Sequence, residues 1–193
     1  RMGSIALKSL NAARGAINTK SLDDLKTVAQ CEQTLDDMQE ALTEYLIKVD
    51  NLSLSESQKK HVNNLFNMVT DIERVGDHAD NLSENAKYMI DNNLEFSDLA
   101  KEDLAEIAKD AIDAFETAIN ASGANALGAV RKVNKLEDKV DMLEDELREK
   151  HIDRLTKGEC KPQSGIAFLD IISNLERVSD HATNIAGYVK NEI

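Results

Sequence analysis

The chain has 193 residues, enough for one large domain or two small domains with a hydrophobic core. Aromatic residues make up only 4% and there is a single proline, which is typical of an all-helical protein. The net charge of −13 and the lack of any basic run argue against a nucleic acid or an anionic membrane surface as the partner.

Apolar residues recur at helical spacing throughout the first half of the chain. They predict three helices, over about residues 2–18, 21–50 and 58–91. Ser21 is placed to cap the second helix, and Ser53 with Glu56 has the spacing of a capping box before the third. Because the first helix begins abruptly at Met2, we expect the chain to be cut from a longer polypeptide.

The second half repeats this plan. A fourth helix follows a cap at Ser97 and ends near residues 121–123, a fifth ends at 157–158, and a sixth begins at about Ser164. Six helices in two sets of three predict an all-α fold of two tandem antiparallel three-helix bundles, residues 1–93 and 94–193.

One motif occurs twice. Residues 71–82 read DIERVGDHADNL and residues 174–185 read NLERVSDHATNI, displaced by 103 residues. Over 72–82 and 175–185, seven of eleven positions are identical, and most of these are polar. A repeat at this spacing indicates two copies of one helical unit. Core packing would preserve apolar residues instead, so the polar identities predict a shared site.

Within each motif two acids are four residues apart, Glu73 with Asp77 and Glu176 with Asp180. On a helix such residues project side by side, about 6 Å apart. They lie ~100° around from the apolar stripe, at its shoulder. Gly76 lies between stripe and shoulder and is small enough for a neighbouring helix to approach closely.

The second helix of each half carries a matching pair, Glu32 with Asp36 and Glu137 with Asp141. Antiparallel packing would bring two acidic rows together in each half. Four carboxylates repel one another unless a cation lies between them. Hard oxygen ligands favour Mg, Mn, Ca or iron, and bridging carboxylates favour clusters of more than one ion.

There are three alternatives to a metal-binding regulatory module. Arg74 and Arg177 can pair with the acids, which would make the rows structural ion pairs. A metal-independent helical scaffold would instead scatter its acids over solvent-facing surfaces. A di-iron carboxylate enzyme would need Glu-x-x-His, but Gly76 and Ser179 occupy the position of that histidine. The chain also has neither a glycine-rich loop nor a GxSxG motif, so we expect no enzyme.

The four histidines have no metal-ligand spacing. His78 and His181 directly follow the acids and are swung ~100° from their row, so we expect them to support ligands or face a partner. His61 and His151 resemble ordinary helix residues. The two cysteines form no CxxC pattern, which indicates a reducing compartment, with Cys31 in the core.

The strings ERVGDHADN and ERVSDHATN resemble both copies of the signature of the PhoU family, and EDKVD at 137–141 resembles its partner motif. This resemblance implies a helical module that governs phosphate uptake or signalling and binds multinuclear iron or zinc clusters. By position, the implied ligands are Glu73, Asp77, Glu176, Asp180, Glu137 and Asp141. Glu32 and Asp36 join them from a stretch, CEQTLDD, that departs from the partner motif.

The stretches LREKHIDRLTKGEC and FLDIISNLERVSDHATNIAGYV are more specifically similar to the cytosolic C-terminal domain of prokaryotic sodium/phosphate cotransporters. That similarity implies a membrane-embedded phosphate transporter as partner, on the same polypeptide, and a location at the cytoplasmic face of the membrane. No apolar run approaches the ~20 residues of a spanning helix. Whether the domain forms homo-oligomers stays open.

Overall fold

Six α-helices follow one another in a computed structural model that describes residues 1–121 and 126–190, and these two ranges contain no β-strand. The helices are α1 (Met2–Thr19), α2 (Leu22–Asp50), α3 (Glu56–Asp91), α4 (Asp98–Ile119), α5 (Ala126–Thr156) and α6 (Pro162–Lys190). The predicted all-α class is confirmed. No helix within the described ranges is long and apolar enough to cross a membrane.

The helices pack as two sets of three. In the first set, α1, α2 and α3 all contact one another. In the second set, α4, α5 and α6 do the same. The sets meet through α3 against α6 and α1 against α4. One cluster of buried apolar side chains includes residues of all six helices, among them Leu35, Val75, Val140 and Val178. The division into domains at residues 93 and 94 stays a prediction.

Serine side chains begin three of the helices. Ser21 Oγ accepts from the Asp24 amide at 3.2 Å and Ser97 Oγ from the Ala100 amide at 3.3 Å, as predicted. The predicted box of Ser53 and Glu56 is wrong, since Ser55 and Gln58 form the capping box of α3. In both pairs the serine precedes its partner by three residues, and the second pair is shifted by two residues along the chain. The apolar pattern does not distinguish these two registers.

The predicted end of α5 is confirmed, and its geometry explains the stop. Gly158 has a φ of +72°, and the Glu159 amide donates to Arg154 O at 2.9 Å, which closes the helix with a Schellman motif. α6 begins at Pro162, two residues before the predicted start, because proline fits the first helical position. α4 ends at Ile119, earlier than predicted, and positions 122–123 lie outside the described residues.

Candidate metal centres

The first carboxylate cluster consists of Glu32 and Asp36 on α2 with Glu73 and Asp77 on α3. The structure brings these four predicted residues near one another, since Asp36, Asp77 and Glu73 all raise the pKa of Glu32, but no three of their carboxylate oxygens from different residues lie within 4.8 Å of one another. A Cβ atom at Gly76 would lie 2.5 Å from Leu35 Cδ1 and 3.3 Å from Glu32 Oε2. The absence of a side chain at residue 76 therefore allows the α2 acids to reach those of α3.

Glu32 has the most strongly perturbed ionisation of this cluster. Its burial, and then the charges of Asp36 and Asp77, raise its pKa to about 7. Its Oε2 atom is buried and has no hydrogen-bond partner among the described residues. Burial and Asp77 likewise raise the pKa of Glu73. An orphaned carboxylate oxygen among other acids fits a site for a cation.

The second carboxylate cluster consists of Glu137 and Asp141 on α5 with Glu176 and Asp180 on α6. One carboxylate oxygen from each of Glu137, Asp141 and Asp180 lies within 4.8 Å of the other two. Burial first, and then neighbouring carboxylates, raise the pKa of Glu137, Asp141 and Glu176. Ser179 is fully buried at the position that corresponds to Gly76, and its hydroxyl donates to Glu176 O at 2.8 Å.

The arginines of the two motifs do form ion pairs with the acids. Arg74 Nη1 lies 3.2 Å from Asp77 Oδ2, and Arg177 Nη1 lies 3.2 Å from Asp180 Oδ2. Both arginine side chains are exposed, at 58% and 60%. Their charge lowers the pKa of Glu73 and of Glu176, but burial and the carboxylates outweigh it, so the net shift is upward. The arginines therefore leave both clusters short of positive charge.

Each cluster has a further acid that the spacing rule did not single out. Asp80 raises the pKa of Glu32, and Glu144 raises the pKa of Asp141 and Glu176. Glu144 is buried and paired with Arg148. Helical spacing could have found Glu144, because it lies three residues after Asp141 on the same face. All these donors are oxygens, which suit iron, manganese or magnesium, whereas zinc more often also binds nitrogen or sulfur.

The histidines of the repeated motif lie between the two sets of helices. His78 Nδ1 on α3 is 2.9 Å from Asn174 Oδ1 on α6, and His181 Nδ1 on α6 is 2.7 Å from Asp71 Oδ1 on α3. The two imidazole rings are 5.5 Å apart. Asp71 and Asn174 are themselves separated by 103 residues, so the two contacts are related by the repeat.

The contact around Asp71 is the stronger of the two. Asp71 also accepts hydrogen bonds from Asn184 Nδ2 at 3.2 Å and from Tyr188 Oη at 2.8 Å. Its burial would raise its pKa, but the hydrogen bonds from His181, Tyr188 and Asn184 lower it on balance. The polar residues of the motif thus divide between two tasks, with the acids in the clusters and the histidines between α3 and α6.

The other candidate side chains are dispersed. His61 is exposed near the start of α3, and Cys31 is buried in the core as predicted. His151 lies within α5, as expected of a helix residue, and it is buried with its ring stacked on Phe168 at 5.3 Å between centroids.

A family model described as the PhoU domain matches residues 1–86 and again residues 104–189. The chain belongs to the PhoU family. It is 24% identical over 193 residues to the phosphate-specific transport system accessory protein PhoU homolog of Clostridium acetobutylicum, covering 96% of this chain and 84% of that one. It is 21% identical over 179 residues to PhoU homolog 1 of Thermotoga maritima, also called a phosphate-specific transport system accessory protein, covering 92% of this chain and 76% of that one.

Solved PhoU structures share the fold. The crystal structure of PhoU from Pseudomonas aeruginosa superposes with a TM-score of 0.90 at 18% identity and covers 97% of this chain and 90% of its own. PhoU from Streptococcus pneumoniae, described as a phosphate transport system regulatory protein, gives a TM-score of 0.81 at 19% identity, with 97% and 87% covered.

Proposed function

We propose that this PhoU-family chain regulates phosphate transport and holds metal ions in both carboxylate clusters. The observation that carries the metal proposal is the arrangement of acids between α2 and α3 and between α5 and α6. In both places carboxylates with raised pKa values face one another, and the nearby arginines do not neutralise them. The second cluster offers three carboxylate oxygens within 4.8 Å of one another.

Glu32, Asp36, Glu73 and Asp77 would hold metal in the first cluster, and Glu137, Asp141, Glu176 and Asp180 in the second. A bound iron, zinc or other divalent ion would supply the positive charge that each cluster lacks. The side chains supply the ligands from two helices at once. Metal occupancy would therefore set how firmly α2 is held against α3 and α5 against α6.

The names of the relatives support the regulatory part. They are accessory proteins of phosphate-specific transport systems, which favours a membrane-embedded phosphate transporter as the partner and regulation over catalysis. The similarity of residues 147–160 to the cytosolic domain of sodium/phosphate cotransporters favours a transporter on the same polypeptide. In that case the domain works at the cytoplasmic face of the membrane.

The metal proposal is tested by elemental analysis of protein purified without chelator, followed by melting curves with and without EDTA. We expect bound iron, zinc or another divalent metal, and a lower Tm after its removal, because a ligand that binds only the folded chain stabilises it. Asp180→Asn should weaken binding at the second cluster. Asp113→Asn is a matched control, since Asp113 is also ion-paired and similarly exposed, at 38% against 34% for Asp180.

If the clusters are only structural ion pairs, EDTA leaves the Tm unchanged. Asp180→Asn then costs only about 0–1 kcal/mol, like the control. That result, in protein that also fails to bind added iron, zinc or manganese, would leave a metal-independent scaffold as the function.

The regulatory proposal is tested in cells by measuring phosphate uptake at low and high external phosphate. Deleting this domain from its parent should change the uptake or its response to phosphate while the transporter still inserts in the membrane. Equal uptake by both strains at every phosphate concentration would count against regulation, whether or not metal binds.

A further inference from the structure

A cavity of about 580 Å³ lies where the end of α5 meets the start of α6 and the loop before α4. We name it the α5–α6 cavity; its polar lining includes His151, Arg154, Lys161 and Ser164. No residue of either carboxylate cluster lines it. The stretch LREKHIDRLTKGEC, which resembles part of cotransporter domains, supplies several of the residues that line the cavity. The metal proposal assigns no function to this stretch.

Two buried polar atoms on residues lining the cavity lack partners among the described residues, Arg154 Nη2 and Ser164 Oγ. Arg154 is only 9% exposed and Ser164 only 3%. The other end of the guanidinium is in use, since Arg154 Nη1 donates to Asp103 Oδ2 at 2.7 Å and the group lies 5.0 Å above the Phe168 ring. Because buried donors are nearly always paired, these two point to a ligand that accepts hydrogen bonds.

The start of α6 adds donors at the same place. Lys161 precedes the helix, and a lysine side chain has no acceptor with which to cap the first turn. Pro162 has no amide hydrogen, so the first amides are those of Gln163 and Ser164. The first amides of an α-helix have no partner within it, and the positive end of the helix dipole favours an anion.

The charges are arranged to suit an anion. Arg154 and Lys161 contribute positive charge. Asp103 offsets part of the charge of Arg154 by pairing with it, but Asp103 is itself also 3.6 Å from Lys150. Two acids also line the cavity, Glu95 and Glu159. Glu159 is exposed, and Glu95 is 70% exposed and paired with Lys20 at 3.0 Å. The buried wall therefore carries donors, whereas these two acids stay at the solvent-exposed rim.

Gly165 fixes the shape of this wall. A Cβ atom there would lie 2.5 Å from His151 Nε2, so only glycine lets the imidazole ring lie against the first turn of α6. With its ring stacked on Phe168, His151 forms a flat side of the cavity beside Arg154.

We propose that the α5–α6 cavity binds a small tetrahedral oxyanion, either inorganic phosphate or the phosphate group of a monoester. Arg154 Nη2, Ser164 Oγ and the first amides of α6 donate to its oxygens, and Lys161 adds charge. The site is separate from the carboxylate clusters and does not depend on metal there.

The test is isothermal titration of the metal-stripped chain with inorganic phosphate, and separately with glycerol phosphate, at constant ionic strength. We expect one saturable site per chain for at least one of the two. Stronger binding of inorganic phosphate identifies the free ion as the ligand, and stronger binding of glycerol phosphate identifies a monoester. In two-dimensional NMR spectra the amide signals of Gln163, Ser164 and Gly165 should shift with the same saturation.

Ser164→Ala is the deciding variant, because losing one donor should weaken binding roughly three- to tenfold. Ser9→Ala is its matched control. Like Ser164, Ser9 is buried and has an unpartnered Oγ among the described residues, but it lies on α1 and does not line the cavity. Arg154→Lys keeps the charge and removes the Nη2 donor, and should weaken binding further.

The proposal is overturned if neither compound gives saturable binding, or if Ser164→Ala and Ser9→Ala bind as well as the unchanged chain. Binding that appears only when metal is restored would overturn it too, and would assign the anion to a carboxylate cluster. Failure of this test leaves the metal proposal untouched, because every titration uses metal-stripped protein.

Discussion

Among the acids of the two carboxylate clusters, Glu32 has the largest upward shift in pKa, to about 7. It faces acids of both its own helix and α3, with Asp36, Asp77, Asp80 and Glu73 all disfavouring its ionised form. No cation within the described residues offsets them enough to prevent a pKa of about 7. Without metal, this carboxyl group is therefore about half protonated near pH 7.

A pH prediction follows for the metal-free chain. The pKa of Glu32 rises from 4.5 to about 7 on folding, so between these values the folded state keeps a proton that the unfolded state has lost. Stability from this group is full below pH 4.5 and is lost as the pH rises through 7. Glu32→Gln removes this loss of stability. The Tm of the variant should therefore rise relative to the Tm of the unchanged chain as the pH increases from 5 to 8.

The measurement is differential scanning calorimetry of both EDTA-treated proteins across that pH range. Titrating groups far from Glu32 are common to both chains, so their effects cancel in the difference, and what is left reports on Glu32 and the acids coupled to it. A Tm difference that stays constant with pH would show that Glu32 titrates as an exposed glutamate does.

At the scale of the helices, α2 is held by a narrow strip. Only four of its 29 residues are buried: Val28, Cys31, Leu35 and Leu46. The carboxylates of Glu32 and Asp36 lie beside that strip, so their repulsion from α3 acts directly on a sparse contact. This physical arrangement makes the docking of α2 sensitive to the charge between the helices.

Gly76→Ala should therefore destabilise the chain. The new methyl group would meet Leu35 Cδ1 at 2.5 Å, so the fully buried Leu35 side chain would have to shift within the core. We expect a loss of about 1–3 kcal/mol in the free energy of unfolding, measured by urea denaturation, and weaker metal binding in the first cluster.

Gly187→Ala provides the control within α6. Nothing lies within 4 Å of a Cβ atom at that position, so the substitution should raise stability by about 0.5–1 kcal/mol. Equal effects of the two substitutions would mean that close approach of α2 to α3 does not depend on Gly76.

At the scale of the whole molecule, α3 and α6 join the two sets of helices. Their contact combines buried apolar residues with the hydrogen bonds of Asp71 and Asn174. Each carboxylate cluster takes two of its four acids from one of these helices, the first from α3 and the second from α6. A change in the packing of α3 on α6 would therefore reach both clusters.

Asp71→Ala tests the strength of this contact. It leaves His181, Asn184 and Tyr188 without their shared acceptor, so we expect a loss of about 2–3 kcal/mol. Asn174→Ala removes the related but uncharged acceptor and should cost less, about 1–2 kcal/mol.

Urea denaturation followed by circular dichroism measures both losses. Because one apolar cluster includes all six helices, each variant should still unfold in a single transition. Two separate transitions in the unchanged chain would contradict this continuity.

The sequence alone determined the helices and the acidic rows. Both follow from the period of 3.6 residues, which fixes that Glu73 and Asp77 share a face and that Val75 points to the core. It also sufficed for the PhoU family, because the motif that carries the resemblance is written twice along the chain. Local geometry is enough for each of these inferences.

Only the tertiary structure decided what each face meets. Spacing excluded His181 from the acidic row, but only the packing of α3 on α6 gave it Asp71 as a partner. Arg154 and Ser164 belong to different helices and share no motif, so their common cavity could not be read from either. Helical periodicity describes one helix at a time, whereas a site between helices depends on the rotation and distance at which they pack.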